Sequence, residues 1–267
     1  MVTSSLPRFA VPALAAWAKL ARRGRPSGAA LRPSAGLLIL AGLAFALNIG
    51  SFHISLTGTG VGNATFIGAV GPIVTIIGGA LFFNERPQAR VWLALCLALF
   101  GAWAMAGLVA PTHIGYGDAF ALSASVAYAS YLLVIKQLRV RLDGATVTLW
   151  SAAVSAVILA LAAWLRGEIL VPSSLFGWTI IALLAFGVHA TGQGLTSVAV
   201  GRAPVRLVAL AILAQPPFSA LAAWGVLGEG MTALQIAGGA IILTAVVLSR
   251  PTASPRRRAQ PSGSAGR

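Results

Sequence analysis

Polar side chains that could bind a solute recur at helical spacing inside otherwise apolar stretches. Asn48 is followed by Ser51 and Ser55 after three and seven residues, and His189 is followed by Gln193 after four residues. Residues at these spacings share one face of a helix. In lipid each of these groups is costly unless it finds a partner. The pattern therefore predicts that these faces line a polar cavity.

Two prolines and two tyrosines extend this candidate set. Pro72 and Pro216 each remove a backbone donor within an apolar stretch, and interrupted helices at matching positions indicate a transport site. The alternatives are that the prolines only kink helices for packing and that the hydroxyls only bond neighbouring helices. The predicted cavity-lining residues are Asn48, Ser51, Pro72, Tyr128, Tyr131, His189, Gln193, Gln215 and Pro216.

Acidic residues are scarce, and two of them stand at the ends of apolar stretches. Glu85 and Glu229 each follow a mid-stretch proline by 13 residues. A carboxylate near the interface stays hydrated, so we predict a structural or gating role for both. Because no carboxylate lies mid-stretch, coupling to protons through a buried acid has no strong candidate. His53 or His189 could titrate, and exchange or facilitated diffusion fits equally well.

The sequence does not favour catalysis, a metal or a cofactor. The three histidines are scattered and Cys96 is the single cysteine, so we predict no metal site, no cofactor and no catalytic residue. An intramembrane hydrolase built from Ser51 or Ser125 with His189 is the enzymatic alternative. It lacks the Gly-x-Ser-x-Gly context of such nucleophiles.

The elements that carry these residues are long apolar helices. The 267 residues are 58% hydrophobic and 9% charged, far below the charged share of soluble domains. The apolar runs are continuous, which favours membrane helices over barrel strands. Eight full spans are predicted, with a ninth, shorter segment at 6–20. The spans are 37–56, 64–83, 91–110, 117–136, 145–165, 177–198, 205–227 and 233–249.

Basic residues fall in the gaps between the spans, and successive gaps lie on alternate sides of the membrane. This arrangement puts 17 of the 19 Lys and Arg residues on one side, which predicts that this side and the C-terminus are cytoplasmic. The net charge of +14 therefore reflects membrane topology, and we predict no nucleic-acid partner. The Pro/Ser/Arg/Gly-rich tail at 250–267 is predicted to be disordered.

An internal repeat relates the two halves of the chain. Pro72 and Glu85 recur as Pro216 and Glu229 after 144 residues. Five spans separate the copies, so they point in opposite directions, as in inverted-repeat transporters. The expected units are a first repeat at 1–110 and a second at 117–249. A complete first repeat would need one further span before residue 1.

These features resemble the EamA-type family of the drug/metabolite transporter superfamily. The resemblance rests on the mid-helix proline, the glutamate at the helix end and a Gly-rich closing helix in each half, and on the segment that opens with Gly115-Tyr116-Gly117-Asp118. It covers residues 8 to about 249. The family pattern has ten helices in two five-helix repeats, and it implies export of metabolites, amino acids or drugs.

We therefore predict an all-α, polytopic membrane protein formed by an inverted-repeat helical bundle of two EamA-like halves. The predicted function is secondary transport or export of a small molecule by alternating access. Its predicted partners are the lipid bilayer and a small-molecule substrate, and a homodimer is compatible with the sequence. The high Ala, Gly and Arg content indicates a GC-rich bacterial genome, and hence location in the cytoplasmic membrane of a bacterium. The alternatives are a non-transporting, truncated membrane scaffold and the intramembrane enzyme considered above.

Overall fold

The computed structural model describes residues 31–107, 115–167, 174–183, 187 and 190–250. Over these residues the chain is helical, without strands. The short N-terminal segment at 6–20, His189 and the tail beyond residue 250 lie outside the described residues. The helices are α1 (Ala35–Gly58), α2 (Val61–Gly68), α3 (Gly71–Phe83), α4 (Ala89–Met105), α5 (Tyr116–Leu138), α6 (Gly144–Leu165), α7 (Leu175–Ala182), α8 (Thr191–Arg202), α9 (Val205–Ile212), α10 (Gln215–Leu227) and α11 (Ala233–Leu248).

The helices have the length and composition of membrane spans. Within the described part of the chain, five helical stretches are long and apolar enough to cross a bilayer, and α4 and α11 are shorter apolar helices. Large apolar side chains such as Leu81 and Phe82 are about three-quarters exposed. Lipid is the solvent that accommodates such a surface. The prediction of an all-α polytopic membrane protein is confirmed.

Two of the predicted spans are each divided into two half-helices at residues that the structure describes. The predicted span 64–83 is divided into α2 and α3 at residues 69–70, and the span 205–227 is divided into α9 and α10 at residues 213–214. In each case a proline stands in the first turn of the second half-helix. The N–H groups of a first turn have no helical partner, so the missing N–H of proline costs no hydrogen bond there. The prolines thus mark the positions where the helices break.

The two halves repeat the same elements in the same register. The bounds of α9 and α10 lie 144 residues after those of α2 and α3, residue for residue. The turns that follow are also equivalent, because Asn84 and Gly228 both adopt left-handed backbone conformations, with φ of 52° and 72°. The internal repeat in the sequence is therefore also a repeat in the structure.

The repeats run in opposite directions. The carboxylate of Glu85, just after α3, accepts a hydrogen bond from the backbone N–H of Val205, the first residue of α9, at 2.8 Å. The end of α3 thus meets the start of α9, and the two helices pack together. We call this end of the bundle, which also carries Lys136 and Arg206, the basic side. The inverted arrangement predicted from the sequence is confirmed.

Two apolar clusters hold the bundle together. The first joins α1, α5, α6, α8 and α9, and it includes Phe45 and Tyr131, whose ring centroids are 4.9 Å apart. The second joins α3, α4, α9 and α11. Within it α4 and α11 cross closely enough that a Cβ added to Gly101 would lie 2.7 Å from the carbonyl oxygen of Gly238. Small residues let the two backbones approach closely. Such packing drives helix association in a membrane, because the burial of apolar side chains away from lipid adds little free energy.

Candidate solute-binding cavity

A cavity of about 650 Å³ lies between the two halves. Residues of both repeats line it, and both helix breaks contribute. The polar or proline residues of the lining are Asn48, Thr65, Pro72, Thr75, Ser125, Tyr128, Gln215, Pro216, Ser219 and Gln235. Its apolar lining includes Phe52, Met105 and Leu132. The volume is in the range of pockets that enclose small organic ligands.

The first helix break is held in place by hydroxyl groups. Ser125 on α5 donates a hydrogen bond to the carbonyl oxygen of Gly68 at 2.9 Å, and Thr75 donates to the carbonyl oxygen of Gly71, also at 2.9 Å. Gly68 stands four residues before Pro72, which has no N–H to donate to its carbonyl oxygen, and Gly71 directly precedes Pro72. The hydroxyls therefore satisfy backbone groups in an apolar setting, and they fix the wall of the cavity.

Asn48 presents one end of its amide to the cavity. Its Nδ2 donates to the carbonyl oxygen of Ala124 on α5 at 2.9 Å. This bond joins α1 to α5 and fixes the orientation of the side chain. Asn48 and Tyr128 both line the cavity. Together they can accept from and donate to a polar solute.

The other residues predicted from helical spacing lie at different places. Ser51 is buried with its Oγ 3.4 Å from that of Ser123. Tyr131 is 1% exposed and stacks on Tyr128 behind the cavity wall, with ring centroids 5.9 Å apart. Gln193 is half-buried on α8 and is not among the lining residues. Whether any of them contacts a solute stays a prediction.

Several lining residues were not among the candidates. Ser219 stands one helical turn after Gln215 on α10, so the same face of the helix carries both. Gln235 lies at the start of α11, where its Oε1 accepts from the N–H of Thr232 in a capping box. Thr65 lies on α2 near the break. The spacing of Ser219 from Gln215 is a usable sequence signal. Thr232 and Gln235 have the spacing of a capping box, which predicts a helix start and not a position in a cavity, and Thr65 belongs to neither pattern.

The cavity extends away from the basic side. Phe52, Met105 and Gln235 lie toward the ends of α1, α4 and α11 that face away from Glu85. Toward the basic side the lining stops near Ala209 in the middle of α9. The described lining therefore runs from the middle of the bundle toward the end away from Glu85 and stops short of the basic side.

Charge is kept out of the cavity and collects at its basic side. None of the described residues that line the cavity is ionisable at neutral pH. On the basic side of the cavity, Glu85 forms ion pairs with Arg206 at 3.1 Å and with Lys136 at 3.9 Å. Glu229, by contrast, is exposed at the far end of the bundle. In the described part of the chain no three His, Cys, Asp or Glu residues are grouped as metal ligands.

Comparison with protein families gives a match over most of the chain. The model of the EamA-like transporter family matches residues 6–107 and 115–250. One solved structure superposes with a TM-score of 0.72 at 18% identity, covering 90% of this chain and 84% of the other. At that level of identity the likeness shows the fold alone.

Curated relatives carry the names of exporters. A threonine/homoserine exporter of Escherichia coli K12 is 29% identical over 197 residues, which is 72% of this chain and 63% of the exporter. Its counterpart in Salmonella typhimurium LT2 is 27% identical over 248 residues, covering 83% and 80% of the two chains. A pseudopaline exporter of Pseudomonas aeruginosa PAO1 is 28% identical over 230 residues, covering 85% and 79%.

Proposed function

Since this chain belongs to the EamA-like transporter family, we propose that it exports a small metabolite, amino acid or drug by alternating access. The observation that carries the proposal is the cavity enclosed by two inverted halves, with a broken helix from each half in its wall. In inverted-repeat transporters the solute binds at such breaks while the halves rock about it. Membership of a transporter family and exporter relatives support transport over catalysis.

The lining supports a solute without net charge. Asn48, Tyr128 and Gln215 offer donors and acceptors, while Phe52 and Met105 offer apolar contact. An ion would lose its hydration without gaining a counter-ion among the described lining residues. A neutral molecule meets no such cost, and in a zwitterion the cationic and anionic groups offset each other's charge. The threonine/homoserine exporters transport solutes of this kind by name, and we extend only that chemistry to this chain.

Charge asymmetry supports the orientation. The described loops on the basic side carry Arg86, Arg139 and Arg202, whereas Arg166 lies at the other end. The positive-inside rule then assigns the basic side, and with it the C-terminal end of α11, to the cytoplasm of a bacterial cell. The cavity would face outward in this conformation.

The hydrolase alternative gains little support. The hydroxyl of Ser125 is committed to the carbonyl oxygen of Gly68, and that of Ser51 lies against Ser123. A non-transporting scaffold is separated from a transporter by experiment. Purified chain in proteoliposomes would be loaded in turn with labelled neutral, zwitterionic and charged solutes, and efflux would be compared with protein-free liposomes. We expect efflux of one or more uncharged or zwitterionic solutes. Efflux equal to that of protein-free liposomes across the panel would contradict transport.

A further inference from the structure

One carboxylate fastens the basic side of the bundle. Glu85 Oε1 accepts from the backbone N–H of Val205 at 2.8 Å, and Oε2 accepts from Arg206 Nη1 at 3.1 Å and from its backbone N–H at 3.4 Å. The start of a helix is a natural site for an anion, because its first N–H groups lack helical partners. Glu85 thus attaches the end of α3, in the first repeat, to the start of α9, in the second.

Neighbouring residues reinforce this attachment. Lys136, near the end of α5, lies 3.9 Å from Glu85 and donates to the carbonyl oxygens of Val200 and Ala203, at 3.1 and 2.8 Å. The helices come close here because Gly79 has no side chain. A Cβ at that position would lie 2.8 Å from Val205 Cγ1. The ends of α3, α5 and α8 and the start of α9 therefore meet at Glu85.

The repeat places an equivalent glutamate and an equivalent helix start at the opposite end. It does so without the guanidinium of Arg206 or the glycine at position 79, since Gly62 and Ala223 stand at those equivalent positions. Glu229 is the equivalent of Glu85, and the N–H groups of Val61 and Gly62 are the equivalents of those of Val205 and Arg206. Yet Glu229 is exposed and bonds to none of the described residues through its side chain. Helix α2 also begins without a side-chain cap, since its N-cap is Gly60. The described lining of the cavity extends toward this end and stops short of the basic side.

We propose that Glu85 and Glu229 are paired latches, each of which closes one end of the cavity by capping the first N–H groups of the half-helix in the other repeat. The proposal rests on the alternating access proposed above. In this conformation the Glu85 latch is closed and the cavity faces away from the basic side. In the opposite conformation Glu229 caps α2 while Glu85 releases α9. Each glutamate therefore stabilises the conformation in which its own end is shut.

Equivalent positions in the two repeats provide matched probes. Ser219 and its equivalent, Thr75, both line the cavity, but Ser219 is exposed whereas Thr75 is 0% exposed. In a Cys96→Ser background, Ser219→Cys and Thr75→Cys would be reacted separately with a membrane-impermeant maleimide. The reagent would be applied to right-side-out and inverted vesicles without any solute. We expect Ser219→Cys to react from the side opposite the basic side and Thr75→Cys to react slowly from either.

Glutamate variants then test the latches. Glu85→Gln should raise the rate of Thr75→Cys labelling from the basic side at least about tenfold, the shift expected from loss of charge-assisted hydrogen bonds. Glu229→Gln should leave that rate at or below its starting value. Asp143→Asn is the matched control, because Asp143 caps α6 on the same side through the N–H of Thr146 and takes no part in the contact with α9. If the Glu85→Gln variant fails to insert into the membrane, Arg206→Gln replaces it. This substitution should also raise the rate of Thr75→Cys labelling from the basic side, by a smaller factor.

The outcomes separate this proposal from transport itself. Unchanged Thr75→Cys labelling in both Glu85→Gln and Arg206→Gln would overturn the latch, as would an equal rise with Glu229→Gln or Asp143→Asn. Labelling needs no solute, so the latch result stands even where no solute in the panel is transported. Conversely, solute efflux with unresponsive labelling would reject the latches and keep the transporter.

Discussion

The close crossing of α4 and α11 joins the two repeats, and it makes a substitution at Gly101 informative. A Cβ placed there would lie 2.7 Å from the carbonyl oxygen of Gly238, 2.8 Å from Ile242 Cγ1 and 3.2 Å from Ile241 Cγ2. The geometry is reciprocal, since a Cβ on Gly238 would lie 2.6 Å from the carbonyl oxygen of Gly101. A backbone carbonyl cannot rotate away, so Gly101→Ala must push the helices apart.

The magnitude follows from two opposed effects. Overpacking a close contact costs about 1–3 kcal/mol, while replacing glycine by alanine within a helix gains about 1 kcal/mol in propensity. Gly225 on α10 isolates the second effect, because a Cβ there meets nothing within 4 Å. The free energy of unfolding of Gly101→Ala should therefore fall below that of Gly225→Ala by about 1–3 kcal/mol.

The assay is reversible unfolding in mixed micelles, with increasing denaturing detergent and circular dichroism as the readout. Wild type, Gly101→Ala and Gly225→Ala would be compared at the same micelle composition. Gly101→Ala equal to or more stable than Gly225→Ala would refute the crossing geometry. It would thereby also remove the contact that places the closing helices of the two repeats side by side.

Two further predictions concern the cavity and the basic side. Asn48→Ala should reduce solute efflux about tenfold, the effect of one lost hydrogen bond to a polar solute, while membrane insertion stays unchanged. Gln137→Ala, a substitution at an exposed residue outside the cavity, should leave efflux unchanged. Equal efflux for both variants would remove Asn48 from the solute site. Arg139→Leu should lower the free energy of unfolding by about 1–3 kcal/mol, because its guanidinium donates to the carbonyl oxygens of Ser197 and Leu142. Exposed Arg141→Leu should change it by less than about 0.5 kcal/mol, and detergent unfolding of both variants checks the difference.

The sequence predicts the spans well because lipid imposes one rule on them all. Every backbone group must be paired inside the bilayer, so a continuous apolar run indicates a helix. The 144-residue offset extends this to the inverted repeat, because Pro72, Glu85 and their copies are scarce residue types that share it. The helix breaks follow from the same prolines, although the exact point of interruption depends on the packing of α5 against Gly68 and Gly71.

Helical spacing identifies a shared face but does not say what that face meets. Asn48 and Ser51 lie on one side of α1, and the structure turns Asn48 to the cavity and Ser51 to Ser123. Tyr128 and Tyr131 likewise stand three residues apart, and one lines the cavity while the other packs on Phe45. The contact of Glu85 with the start of α9 spans 120 residues. Such contacts arise from the assembled bundle, and no local pattern predicts them.

The central claim is that a solute crosses through the cavity between the halves, and blocking that cavity tests it most directly. Ser219→Cys in the Cys96→Ser background would be labelled to completion with a bulky maleimide, and efflux from proteoliposomes would be compared before and after labelling. Wild type treated in the same way is the control, because Cys96 is exposed on α4 outside the cavity. If solute crosses through this cavity, efflux is lost in the labelled variant alone. Undiminished efflux after complete labelling at residue 219 would contradict it.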